Sequence, residues 1–278
     1  PWSALGPGSQ PGEEDGAELV YLPMPKAMST YRPPVLPEPE DAAQHPEGIH
    51  TLERLLEILD DSRTGDAPRV LDLSALPAGD REMINQALGE GEVSILLAGR
   101  AGIRVQETRL TGVWRTQGDR QDGRPIDTIE VADIPRLVRA TAFTGAEQQI
   151  DLSDTPPEGV INAPSVLVEL NEQAAAWRPG TPPHVINLTL LPQTEADLAH
   201  LDNTLGHGLI SILSRGYGNC RISATRLANC WWVRHYNSDE RLILNTLEVV
   251  DVPAAALAAQ GDMEDSAERL AEILEAVR

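Results

Sequence analysis

The chain has 278 residues, 41% of them hydrophobic, and a formal net charge of −21, so it can bury a core in one large or two small domains. That acidity speaks against general nucleic-acid binding or docking on an anionic membrane, and it suits a cationic partner. No apolar run approaches the roughly 20 residues of a spanning helix, so no membrane insertion is expected. Two cysteines and no secretory signal point to a reducing, cytoplasmic compartment rather than a disulfide scaffold.

Residues 1–48 are dense in Pro, Gly and Glu, which favours an extended N-terminal arm. Leu19–Pro25 and Met28–Tyr31 set apolar residues among prolines, as in an arm docked on a surface; a plain disordered tail is the other reading. Leu52, Leu55, Leu56 and Leu59 form one stripe of a helix. Val70–Leu73 reads as a strand and Asp80–Leu88 as a helix, followed by Gly89 where a left-handed cap is expected. Four strand-like runs come next, at Val93–Leu97, Ile103–Thr108, Leu110–Thr116 and Ile126–Val131, then a helix from Arg136 to Ala142. A linker over 146–163 contains Asp154-Thr-Pro-Pro157. The order then repeats, with a helix at Ser165–Ala176, a strand at His184–Thr189 and a helix at Glu195–Leu205. Thr194 and Asp197 form a capping-box pattern at the start of that last helix. Strands follow at Leu209–Leu213, Cys220–Thr225, Cys230–Tyr236 and Leu242–Val249, and Leu270, Ile273, Leu274 and Val277 mark a final helix.

The repetition extends to residue identity. Leu88-Gly-x-Gly returns as Leu205-Gly-x-Gly, 117 positions on; Ser94-Ile-Leu96 falls on Ser211-Ile-Leu213, Arg104 on Arg221, Arg109 on Arg226 and Trp114 on Trp231. Such a period is too long for a solenoid. The expected fold is therefore α+β: an internal duplication of a helix–strand–helix plus antiparallel β-meander unit, in a pseudo-twofold arrangement. The units run over 49–145 and 164–278, joined by the linker.

One stretch of the second unit stands apart. No Asp or Glu lies between Asp202 and Asp239, a window holding four arginines, two histidines, both cysteines and an aromatic cluster. A cationic, aromatic band in an acidic chain reads as a contact surface. Arg215, Tyr217, Trp232, Arg234, His235 and Tyr236 have no counterparts of their type in the first unit, so they are the candidate partner-binding residues. The competing reading puts the tryptophans in the core, and strand alternation assigns at least one of them there. Arginines present in both units, Arg104/Arg221 and Arg109/Arg226, suggest a shared structural task. Gly206-His-Gly208 follows a helix and precedes a strand, the reverse of a phosphate loop. Cys220 and Cys230 align with Ile103 and Val113, as small buried hydrophobes would, so no cofactor or metal is expected; a metal or iron–sulfur role for the pair is the alternative. No catalytic constellation is visible, and a non-enzyme is expected. An enzyme acting on a small anion would require a pocket containing Arg215 or Arg221.

The motifs GYGNCRI, WWVxxYNS and NTLEVxxVP, with the Leu19–Tyr31 arm and the VLVELNEQ segment, closely resemble the HupH/HyaF/HoxQ family of hydrogenase-maturation proteins. The resemblance covers most of the chain. It implies a non-catalytic assembly chaperone for the small, iron–sulfur subunit of an uptake [NiFe]-hydrogenase. Such a protein binds the precursor and its twin-arginine leader before export, alongside a thioredoxin-like co-chaperone. The alternative within this reading is an iron–sulfur carrier or redox-protective factor using Cys220 and Cys230.

Overall fold

A computed structural model describes residues 36–62, 69–99, 102–119, 122–215 and 219–277; the Leu19–Tyr31 arm and Tyr217 lie outside the described residues. Helices begin earlier than composition suggests, with α1 at Pro39–Ala42 and α2 at Pro46–Ser62. The prolines that read as extended chain instead open helices, where a missing N–H costs nothing and the fixed φ is already helical. The first half continues with β1 (Arg69–Asp72), α3 (Ala78–Leu88), β2 (Val93–Leu97), β3 (Arg104–Glu107), β4 (Val113–Asp119), β5 (Pro125–Val131) and α4 (Arg136–Thr141). The second half holds α5 (Ala163–Ala176), β6 (His184–Asn187), α6 (Glu195–Leu205), β7 (Ile210–Ser214), β8 (Asn219–Ala224), β9 (Cys230–Tyr236) and β10 (Leu242–Val249). A 3-10 turn at Ala254–Ala256 and α7 (Gln260–Ala276) close the chain. The strand expected from Leu110 begins only at Val113, because Leu110 and Gly112 (φ 77°) form the preceding turn.

The ten strands of the described residues join one antiparallel sheet in the order β1-β5-β4-β3-β2-β7-β8-β9-β10-β6, which reads alike from either end. The halves meet where β2 pairs with β7, and Ile95 faces Ile212 across that seam. These two residues are also 117 positions apart, so positions matched by the sequence repetition sit directly opposite each other at the seam.

Helices cover one face of this sheet only at its flanks. On the first half, Leu52, Leu55 and Leu59 of α2, Ile84 and Leu88 of α3, and Leu270 and Leu274 of α7 pack on Leu71, Ile129 and Val131. The chain's last helix thus stabilises its first half, and Ser266 Oγ donates to Thr111 O at 3.1 Å where α7 crosses. On the second half, α5 and α6 place Leu167, Leu170, Leu201 and Leu205 on Ile186, Trp232 and Leu247. The opposite face carries Trp114 and Trp231, Ile95, Ile212 and Ile222 beneath α4 and the 250–256 segment. Arg139 of α4 bridges Asp133 at 2.7 Å and also bonds Asp251, tying the two halves on that side.

Two glycines explain the repeated Leu-Gly-x-Gly. Gly89 and Gly206 follow α3 and α6 at φ 60° and 55°, the positive φ anticipated for a cap, though with extended ψ. A Cβ at either would strike Arg109 or Arg226 at 2.5 and 2.4 Å. Arg226 reaches back to the helix-end carbonyl of Thr204 at 3.1 Å, satisfying an acceptor that the helix leaves open. At least one of the paired arginines is therefore structural, as expected.

Candidate partner-binding face

Between the two helical flanks, no helix of the described residues covers the middle of the sheet's helical face. Its floor is Ser94, Leu96, Gln106, Ser211, Leu213 and Ser223, all on central strands, and Leu96 is 49% exposed there. The second half borders this strip with cations. Arg221 on β8 stands opposite Arg234 on β9, a like-charge pairing that is unfavourable unless each charge is held separately. Each is held by an aromatic ring: the Arg234 guanidinium lies 4.0 Å from the Trp232 ring centroid, and that of Arg221 lies 4.8 Å from that of Tyr236. Cation–π contacts of this kind contribute about 0.5–2 kcal/mol. Arg234 Nη2 also donates to Asp202 of α6 at 3.3 Å, and His207 lies 4.0 Å from the same carboxylate. The Nε of Arg221 is buried and makes no hydrogen bond. Arg215 sits just past β7, its N–H donating to Glu92 O, and partial burial pulls its pKa down.

The six candidate residues therefore divide. Arg234 and Tyr236 lie together at the strip, and Arg221, set aside as structural on sequence grounds, joins them. Trp232 is only 4% exposed and packs in the α5–α6 core, with its Nε1 donating to Asn245 Oδ1 at 2.6 Å. It carries Arg234 from beneath and offers a partner little surface of its own. His235 points to the opposite face, where its Nε2 lies 3.7 Å from Cys220 Sγ. Strand alternation imposes that division.

The same alternation separates the cysteines. Cys220 belongs to the core on one face of the sheet and Cys230 to the core on the other, so they cannot share a metal or cluster. Burial pushes their thiols up to about 11 and 12, away from the thiolate a ligand requires. Among the described residues, no group of three or more His, Cys, Asp or Glu is placed to hold a metal ion. A groove of about 670 Å³ lies between α2 and β1, lined by Pro46, His50, Arg54, Val70 and Leu76, and neither Arg215 nor Arg221 enters it. No helix of the described residues is long and apolar enough to cross a membrane.

Comparison with known proteins gives this geometry its context. The family model described as "HupH hydrogenase expression protein, C-terminal conserved region" matches the chain twice, over residues 47–154 and 160–277. The chain is 49% identical to the hydrogenase expression/formation protein HupQ of Azotobacter chroococcum, over 98% of this chain and 96% of that one. It is 45% identical to the hydrogenase expression/formation protein HoxQ of Cupriavidus necator, covering 97% and 94%. A solved structure of hydrogenase expression protein HupH from Thiobacillus denitrificans is 27% identical, covers 41% of this chain and 93% of that one, and has a TM-score of 0.37. With matches at this identity over nearly the whole length, the chain belongs to the HupH family of hydrogenase expression/formation proteins.

Proposed function

We propose that this protein is a non-catalytic assembly factor that binds the small-subunit precursor of an uptake [NiFe]-hydrogenase through the arginine-bordered strip. Relatives named as hydrogenase expression/formation proteins support the general role. The observation that carries the specific reading is the Arg221–Tyr236 and Arg234–Trp232 pair of stacks beside an open sheet face. A guanidinium stacked on a ring still offers edge N–H groups to carboxylates and main-chain carbonyls, one of those on Arg234 being taken by Asp202, and it loses little entropy on binding because the ring already orients it. Leu96 and Leu213 supply the apolar centre that such a polar rim surrounds.

In this reading the two halves are copies of one unit, with bounds near 49–145 and 164–278. The palindromic strand order, the Ile95–Ile212 seam and the twofold family match support that descent. The second copy diverged into the binding half, while the first completes the sheet. The precursor's twin-arginine leader is bound before export, and a thioredoxin-like co-chaperone acts on the same precursor. The separation of Cys220 from Cys230 favours a chaperone over a cluster carrier.

The test is anaerobic affinity purification from cells making the cognate hydrogenase, with bound proteins identified and iron assayed. Small-subunit precursor with its leader intact, and no iron in the isolated protein, is the expected outcome. Iron held by the protein alone, or purification without any hydrogenase subunit, overturns it.

A further inference from the structure

The repeated Leu-Gly-x-Gly differs between the halves at its variable position, and that difference bears on what the arginine strip binds. In the first half the position is Glu90, whose carboxylate accepts from Arg104 Nη2 at 2.8 Å. In the second half it is His207, 117 positions on. Arg221, the match of Arg104, has the Tyr236 ring at 4.8 Å but makes no ion pair among the described residues. Its Nε is buried, so a partner reaches the guanidinium through the two terminal nitrogens.

The carboxylate that α6 brings to this border is already engaged. Asp202 accepts from Arg234 Nη2 at 3.3 Å and lies 4.0 Å from His207 Nε2. No further Asp or Glu occurs before Asp239. The first half therefore meets its arginine with an acid of its own, and the second half has none to give Arg221.

The neighbours of Arg221 narrow the chemistry of a ligand. Across the strands it stands opposite Leu213 on β7 and Arg234 on β9. A second guanidinium so close makes the local potential more positive, which favours an anion over a neutral acceptor. A main-chain carbonyl would take a hydrogen bond from Arg221 and leave its charge uncompensated. A carboxylate neutralises the charge and accepts from both terminal nitrogens at once. Such a pair contributes little while both members stay in water; it gains strength when the body of a partner covers the strip and excludes solvent.

We propose that Arg221 anchors an Asp or Glu side chain of the bound precursor, in the way that Arg104 holds Glu90, with an apolar residue of the same segment against Leu213. This inference rests on the function proposed above and names the group that the strip selects. His207, by not being an acid, keeps Arg221 available to the partner.

The test titrates purified small-subunit precursor into the full chain and its variants. His207→Glu restores the acid of the first half and is expected to weaken binding by about tenfold or more, while His207→Gln stays within about twofold of wild type. Both should melt close to wild type, because His207 is exposed. In an Arg221→Ala background the same His207→Glu change is expected to cost little, since the new carboxylate then has no guanidinium to occupy. Arg221→Lys keeps the charge and adds a primary amine. A carbodiimide, which condenses amines with carboxylates, is expected to couple that amine to an Asp or Glu of the precursor, located by mass spectrometry of the linked peptides. Three results overturn the inference while leaving the proposed function standing: undiminished binding by His207→Glu, an equal loss in the Arg221→Ala background, or a complex of Arg221→Lys that yields no cross-link from position 221. Precursor that does not bind the wild type overturns both.

Discussion

The two halves of the sheet solve one packing problem with different chemistry. Beneath α3, Arg115 is bidentate on Asp127 at 2.8 and 2.9 Å, with both side chains only 7% exposed. At the matching place beneath α6, Trp232 donates to Asn245 instead. Where the first half uses an ion pair, the second uses an aromatic and an amide, and the buried indole N–H still finds an acceptor. The consequence lies one position further out. Where the first half has Gln117, the second has Arg234, stacked on the new tryptophan. An aromatic floor lets the second half hold a cation at Arg234, where the first half has the neutral Gln117 beside its buried Arg115.

The largest effects should come from breaking each solution. Arg115→Ala leaves Asp127 as a buried charge without its main partner and is expected to cost about 3–5 kcal/mol in denaturant unfolding. Combining Arg115→Trp with Asp127→Asn, the second half's pair, should recover much of that loss; a double variant no better than Arg115→Ala means the sites are not equivalent. Trp232→Ala should also cost about 3–5 kcal/mol, so loss of binding by that variant says nothing about the interface.

Asp197, in the first turn of α6, comes next. Four backbone N–H groups face this buried carboxylate; burial alone would raise its pKa, but those donors hold it well below the ordinary value. A folded-state pKa below the unfolded one contributes stability above the unfolded value, and that contribution is lost as pH falls through the folded value. Asp197→Ala should therefore cost about 3 kcal/mol at neutral pH, with the gap to wild type narrowing only in strong acid. A gap that closes already near pH 6 contradicts this origin.

Glu107 has the opposite sign. Burial, with Glu92 and Asp262 nearby, lifts it from 4.5 to about 7 against the Gly112 N–H it accepts. A raised folded-state pKa means stability that is present below 4.5 and declines as pH rises through 7. Glu107→Gln should match the wild type at pH 4 and exceed it by about 2 kcal/mol at pH 8, read from melting curves across that range. The smallest effect is expected for Arg104→Ala, since this exposed arginine makes only a surface pair with Glu90 at 2.8 Å; a change within about 0.5 kcal/mol should result.

Much of this fold was legible because its signals are local. Period-2 and period-3.6 apolar patterns placed most strands and helices within a few residues, and Thr194 with Asp197 forms the capping box that their spacing announced. Cys220 and Cys230 are buried, as their apolar counterparts Ile103 and Val113 implied. What escaped depends on contacts between distant segments. Nothing near Ile95 says that its strand pairs with one 117 residues away. Whether Trp231 or Trp232 faces solvent depends on which face α5 and α6 cover, and in fact both are buried. Arg221 matches Arg104 in sequence, which points to a shared structural task, but the ring beneath it, Tyr236, has no counterpart at the first-half position, Asp119.

The central claim is that the second-half arginines, and not their first-half counterpart, meet the hydrogenase precursor. Titrating purified small-subunit precursor into wild type, Arg221→Ala/Arg234→Ala and Arg104→Ala tests it most directly, with melting temperatures confirming that each variant is folded. The account predicts an affinity loss of at least about tenfold for the double variant and wild-type affinity for Arg104→Ala. Equal losses for both, or no loss for the folded double variant, would contradict it.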